Sequence, residues 1–184
     1  MTNHKVIGIA GVARSGKDTF CLQALEFLAS KGITCTRKAF ADKLKKDLIS
    51  LCNGPVGIHP FTGNPEEKEI LRPLLVAYGT DVMRRLDEDW WIRQLDHDLE
   101  ICRELKITPI ITDVRYPNEM EWIQNELGGV CVHVSRIGTR ASNKEERENN
   151  PILKSKADYR LRWPTYGKKN LEKGRRKVNF VMNK

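Results

Sequence analysis

The apolar run Val6–Ala10 leads directly into Gly11-Val12-Ala13-Arg14-Ser15-Gly16-Lys17-Asp18-Thr19 and then into Phe20–Leu28, which has helical character. Strand, glycine-bounded loop, lysine and helix in that order leave little freedom to the fold. The spacing G-x-x-x-x-G-K is that of a phosphate-binding loop. In such a loop the backbone N–H groups and a helix N-terminus surround an oligophosphate, and the lysine reaches its outer phosphates. The one departure is Asp18, where Ser or Thr usually follows the lysine; Thr19 comes next. A plain strand-to-helix turn would also accept Gly11 and Gly16, but the flanking strand and helix favour the phosphate loop. Gly11, Arg14, Ser15, Gly16, Lys17, Asp18 and Thr19 are therefore the candidate nucleotide contacts.

Downstream, helical and strand patterns alternate, which predicts an α/β domain with a mostly parallel sheet flanked by helices. The first helix is expected over Lys17–Ser30, stopped by Lys31-Gly32, and a second strand over Thr34–Phe40. Asp42 is read as the cap of a helix with Leu44, Leu48, Leu51 and Cys52 on one face. Asn53–Pro65 reads as a long loop, and helical character returns over Glu66–Arg85. Asp87 or Asp89 opens a helix carrying Trp91, Leu95, Leu99 and Cys102. A short strand, Pro109–Thr112, then ends at Asp113. Pro117 starts a helix with Met120, Ile123 and Leu127 inward, and Gly128-Gly129 stops it. Strands follow at Val130–Ser135 and near Tyr159–Leu161, and Lys177–Met182 is read as an edge strand or a trailing end. With right-handed crossovers, the solution is a three-layer P-loop NTPase fold in one domain over residues 1–184.

Composition narrows the class. No apolar run reaches the length of a membrane span, and Met1–Lys5 enters the first strand without a signal-peptide core. Cys21, Cys35, Cys52, Cys102 and Cys131 form no C-x-x-C pair or Cys/His cluster, as in a reduced cytoplasmic protein without zinc. The net charge of +8 sits at the C-terminal end: residues 154–184 carry eleven Lys or Arg against Asp158 and Glu172. The basic tail, about 164–184, is either a solvated surface or a contact for nucleic acid.

Ligands of open parallel sheets lie beyond the carboxyl ends of the strands, so the residues there form the candidate site. After the phosphate loop these are Asp42 and Lys43, then Asp113 and Arg115, then Arg136 and Arg140. Asp113 suits the metal-side carboxylate of P-loop enzymes, with Asp18 or Thr19 closer to a magnesium ion; a turn-forming aspartate is the plainer reading. Arg115 offers a planar fork to the phosphate of an acceptor. The polar stretch 136–150 is read as a lid bearing the catalytic candidates Arg136 and Arg140, with Lys144–Glu148 as solvated charge. Of Trp90 and Trp91, one is expected inward and the other free to stack on a base. Arg72 and Arg84 are surface charges or substrate contacts.

The segments G-V-A-R-S-G-K-D-T, A-F-A-D-K-L-K, Y-G-T-D-V-M-R with D-W-W, and T-D-V-R-Y-P-N-E together resemble the phage deoxynucleoside monophosphate kinases over about residues 5–160. The resemblance accounts for Asp18, since G-K-D-T is that family's form of the loop. It implies ATP and Mg2+ at Gly11–Thr19, a deoxynucleoside monophosphate acceptor, and a homodimer. It also implies acceptor-side roles for Asp42, Arg84, Trp91, Arg115 and Glu119. Two other readings stand beside it. One is a phosphomevalonate-like small-molecule kinase, which shares a G-K-D loop and a D-x-R segment. The other is a nucleotide-dependent module that binds nucleic acid through its basic tail.

Overall fold

The computed structural model describes residues 6–163 and 171–182. Met1–Lys5 and, within the basic tail, 164–170 and 183–184 lie outside the described residues. The chain divides into two compact units, one of residues 1–38 and 99–184, the other of residues 39–98.

The larger unit is built on five parallel strands in the order β2-β3-β1-β4-β5: β1 Ile7–Ala10, β2 Cys35–Lys38, β3 Thr108–Val114, β4 Val130–Arg136 and β5 Tyr159–Trp163. Strands buried on both faces read as near-continuous apolar runs, and the central β1, β3 and β4 do so. Helix α1 (Lys17–Ser30) has the bounds expected from sequence. Its Phe20, Cys21, Ala24 and Leu28 pack on one face of the sheet with Ile7, Ile9, Ile110, Val132, Val134, Leu161 and Trp163. The opposite face is tight: a Cβ on Gly8 would lie 2.8 Å from Cys131 Sγ and 2.9 Å from Ile123 Cδ1. Ile123 follows α6 (Pro117–Glu121) in a wider, π-helical turn, Trp122–Glu126. Helices on both faces make this unit the three-layer P-loop fold.

Three expectations are corrected here. Residues 171–182 form a helix, α8, with Val178 and Val181 in the core beside α1, rather than an edge strand or a free tail. Those valines are three apart and so share a helix face, while the basic run Arg175–Lys177 just before them masks the periodicity. Residues 144–156 form a helix, α7, capped by Asn143, whose side chain accepts from the Glu146 amide. The lid stretch is therefore strand end, turn and helix start, and Glu146 within the supposed solvated charges is buried. Thirdly, β3 runs on through Asp113 to Val114 instead of stopping before it.

The smaller unit holds α2 (Phe40–Asp47), the short α3 (Ile49–Leu51), α4 (Pro65–Val76), and most of α5 (Trp90–Glu104). Ala39, not Asp42, is the cap of α2, and Asp42 sits in its first turn. Leu44, Leu48 and Cys52 are buried as expected, but Leu51 faces outward. The expected loop 53–65 begins with a π-helical turn, Cys52–Val56, and α4 continues into a second, Ala77–Arg84. Trp91, Leu95, Leu99 and Cys102 all face inward from α5.

Candidate active site

The phosphate loop follows β1 because the chain must turn sharply there. A Cβ on Gly11 would lie 2.2 Å from the Val134 carbonyl oxygen, so this position tolerates no side chain against β4. Arg14 takes a left-handed conformation with φ 62°, and Gly16 caps α1 with φ 97° and no side-chain hydrogen bond. The first-turn amides of an α-helix have no partners within the helix, and no side chain caps them here. Ser15 is wholly buried, with its Oγ lacking a partner. Open amides, a helix dipole and an orphaned hydroxyl are what an oligophosphate needs.

Lys17 Nζ donates to the carbonyls of Gly11 (2.7 Å) and Val12 (2.8 Å), which fixes it against the loop. Its pKa is lowered to about 8, first by burial and then by the Arg115 guanidinium; Glu146, Asp18 and Asp113 act in the opposite sense. Asp18, Asp113 and Arg115, separate in sequence, thus share the electrostatic surroundings of one ammonium.

Arg115 is half exposed, and its backbone is held from behind. The Glu119 carboxylate, nearly fully buried, accepts from the amides of Arg115 (2.7 Å) and Tyr116 (3.1 Å). Glu119 therefore fixes the turn that presents Arg115. Beyond β4, the carbonyl of Arg136 accepts from Thr139 N (3.3 Å) and Oγ1 (2.8 Å), closing a tight turn. Arg136 lines a cavity of about 250 Å³ with Val12, His133, Glu146, Arg147 and Asn150, whereas Arg140 is exposed.

Glu146 is the residue that sequence reasoning missed. Its carboxylate accepts from Ala13 N in the phosphate loop (3.2 and 3.3 Å), from Ser142 N (2.9 Å) and from Ser142 Oγ (3.0 Å). Arg115 Nη1 lies 4.0 Å from it. Burial acts to raise its pKa, but the Ser142 and Ala13 amides, the Ser142 hydroxyl and Arg115 outweigh that and hold it below the usual value. No local signal marks it beyond Asn143 three positions earlier, a cap that would predict a helix start but not the contact with Ala13.

The remaining candidates belong to the smaller unit. Lys43 pairs with Asp47, which also accepts from Tyr78 Oη at 3.3 Å. Asp42 is half-buried in the first turn of α2, and Arg84 is half-buried at the end of the π-helical segment. Trp91 is the inward member of the tryptophan pair: its Nε1 donates to the Gly79 carbonyl (3.0 Å) and Tyr78 meets it edge-on. Trp90 is the more open of the two. Arg72 pairs with Glu69 on the surface of α4.

Comparison with known proteins bears on the family and the fold. No curated protein matches the chain. Among solved structures, dephospho-CoA kinase from Campylobacter jejuni is similar at 12% identity and TM-score 0.52, over 94% of each chain, a likeness of fold. The APS kinase CysC of Mycobacterium tuberculosis is similar at 12% identity and TM-score 0.49, over 98% of this chain and 97% of that one. A family model described as deoxynucleotide monophosphate kinase matches residues 22–150. That stretch begins after the phosphate loop, so the match and the loop are separate observations that point the same way. The chain belongs to the deoxynucleotide monophosphate kinase family.

Proposed function

We propose that the protein transfers the γ-phosphoryl group of ATP to a deoxynucleoside monophosphate, giving ADP and the deoxynucleoside diphosphate. The observation that carries this reading is the phosphate loop itself, with Lys17 Nζ held on the Gly11 and Val12 carbonyls beside the open first turn of α1. The open first turn of α1 takes the ATP phosphates, while Lys17, anchored by two carbonyls, meets them without having to be ordered first. Arg115, backed by Glu119, binds the acceptor phosphate, and Arg136 or Arg140 neutralises charge on the transferring group. A phosphate acceptor is already ionised near neutral pH, so none of these residues has to act as a strong base.

Asp18 and Asp113 offer hard oxygen donors, as Mg2+ requires, and no cluster of three or more metal-ligating side chains occurs among the described residues. That donor set fits an ion that takes its other ligands from ATP and water. When bound, the ion supplies charge neutralisation on the phosphates. Asp42, Arg84 and Trp91 are assigned to the acceptor side by family resemblance, and Lys43 by its place after β2. Trp91 shapes that side from within its unit, and Trp90 carries the more accessible ring. We further propose a cytoplasmic homodimer, for which light scattering reads the mass directly.

The test is a coupled ADP-release assay with ATP and each deoxy- and ribonucleoside monophosphate, alongside phosphomevalonate. At least one deoxynucleoside monophosphate is expected to be the best acceptor. Lys17→Ala is expected to lose about 10²–10³ in kcat, the scale of a single charge-stabilising donor. Preferred turnover of phosphomevalonate, or full activity of Lys17→Ala, refutes the reading.

A further inference from the structure

Glu146 is a buried carboxylate with more partners than a helix start explains. It stands three residues after the Asn143 cap, where a glutamate commonly reaches back to the cap. Local capping accounts for its bonds to Ser142 N and Oγ. It does not account for the amide of Ala13, 133 residues away in sequence, or for Arg115 at 4.0 Å. An uncompensated buried carboxylate is costly, and here the compensation comes from the phosphate loop and the acceptor-side arginine together.

The amide that Glu146 takes is not one of the helix's open set. Those belong to the first turn of α1, after Gly16, whereas Ala13 precedes the left-handed Arg14 that reverses the chain. The carboxylate therefore holds the shoulder of the loop and leaves the anion-facing amides of the helix N-terminus open. Nor does it draw Lys17 away, since that ammonium is bonded to Gly11 and Val12. On the acceptor side, its charge gives the half-exposed Arg115 guanidinium a fixed partner behind the face that meets phosphate.

We propose that Glu146 is a positioning residue that sets the phosphate loop through Ala13 and aims Arg115, so that one lid-segment carboxylate aligns donor and acceptor sides. The assignment of Arg115 to the acceptor rests on the proposed kinase reading; the Ala13 half does not. The opposite arrangement would be a plug, a carboxylate occupying the place of a phosphate and competing with nucleotide. The two predict opposite signs.

The experiment measures ADP binding by calorimetry, without acceptor, and steady-state kinetics on the full chain. Glu146→Ala is expected to weaken ADP binding about tenfold or more, the scale of a lost charge-assisted hydrogen bond at the loop. Glu146→Gln keeps an oxygen for the Ala13 amide but not the charge. It is expected to restore ADP binding to within about threefold while the acceptor KM stays raised about tenfold, a split that a purely structural role does not produce. Ser142→Ala removes one donor to the carboxylate and is expected to move ADP binding in the same direction by a smaller factor, which keeps the test open if Glu146→Ala fails to fold. Unchanged or tighter ADP binding in Glu146→Ala, or in Ser142→Ala where Glu146→Ala fails to fold, overturns the proposal. A wild-type chain that binds ADP but turns over no deoxynucleoside monophosphate defeats the acceptor assignment alone, and the ADP arm still decides the role at Ala13.

Discussion

Gly16→Ala isolates how tightly the phosphate loop is built. Gly16 has φ 97°, and a left-handed conformation costs an L-residue ~1–2 kcal/mol. The new Cβ would also lie 2.7 Å from Nε1 and 2.8 Å from Cδ1 of Trp163, well inside contact distance. That indole cannot swing aside, because Trp163 is 0% exposed at the end of β5 and packs within the sheet–helix core. Overpacking of this kind adds roughly 1–3 kcal/mol, so the combined loss is roughly 2–5 kcal/mol. Gly32→Ala is the matched control: φ is 73°, and nothing lies within 4 Å of its added Cβ. It bears the conformational strain alone, roughly 1–2 kcal/mol. Urea denaturation of both variants, with slopes compared to confirm that the unfolding reaction is unchanged, reads the difference directly. If Gly16→Ala loses no more stability than Gly32→Ala, the indole is not the loop's support and the packing account fails.

Three further outcomes follow from the same structure. Val178→Ala on α8 removes fully buried methyl groups from the core and is expected to cost roughly 2 kcal/mol in denaturant unfolding; a neutral result would place the helix off the core. Trp91→Phe deletes the donor to the Gly79 carbonyl and removes part of a buried indole, an expected loss of roughly 1–3 kcal/mol by thermal or chemical unfolding. His133, buried with Nε2 against Asn150 Oδ1, has its pKa held below 6.5, chiefly by burial; Asn150 opposes this, while Lys154, Lys17 and Arg160 add to it. The unfolded chain therefore takes up a proton first, and stability should fall as pH drops from about 6.5 towards the folded-state pKa. Glu146, whose pKa is depressed, adds a loss only below its ordinary value near 4.5, so the two losses set in at different pH. His133→Gln should flatten the upper slope alone, as read by unfolding midpoints across pH.

The parts of the fold visible in the sequence are those written locally. The β1–loop–α1 unit could be read because an apolar run, two glycines at fixed spacing and a helical period lie in one continuous stretch. The strands β3 and β4 showed as short apolar runs with turn residues beyond them. What stayed hidden depends on distant partners. Glu146 sits in a charged run that resembles solvated helix surface, and only the fold brings Ala13 to it. The two inward valines of α8 are diluted by lysines and arginines, so a helix that closes the core looked like a trailing end. The tryptophan pair was half readable. Adjacent residues on a helix must point differently, but the inward one, Trp91, is bonded to the carbonyl of Gly79, twelve residues away, which no local pattern announces.

The placement of β5 and α8 has a consequence for how the molecule is made. The nucleotide loop precedes the elements that back it by most of the fold, and synthesis completes it before them. Its backing is an indole at residue 163, with valines at 178 and 181 on the far side of α1, and all three are synthesised long after the loop. Until then α1 has an apolar flank with nothing to lie on, and the glycine cap has no wall behind it. The nascent chain can thus hold every residue of the phosphate loop and still lack a working one. Nucleotide binding should appear as a late, all-or-none event, and the long separation in sequence between loop and backing favours slow closure of this half of the sheet.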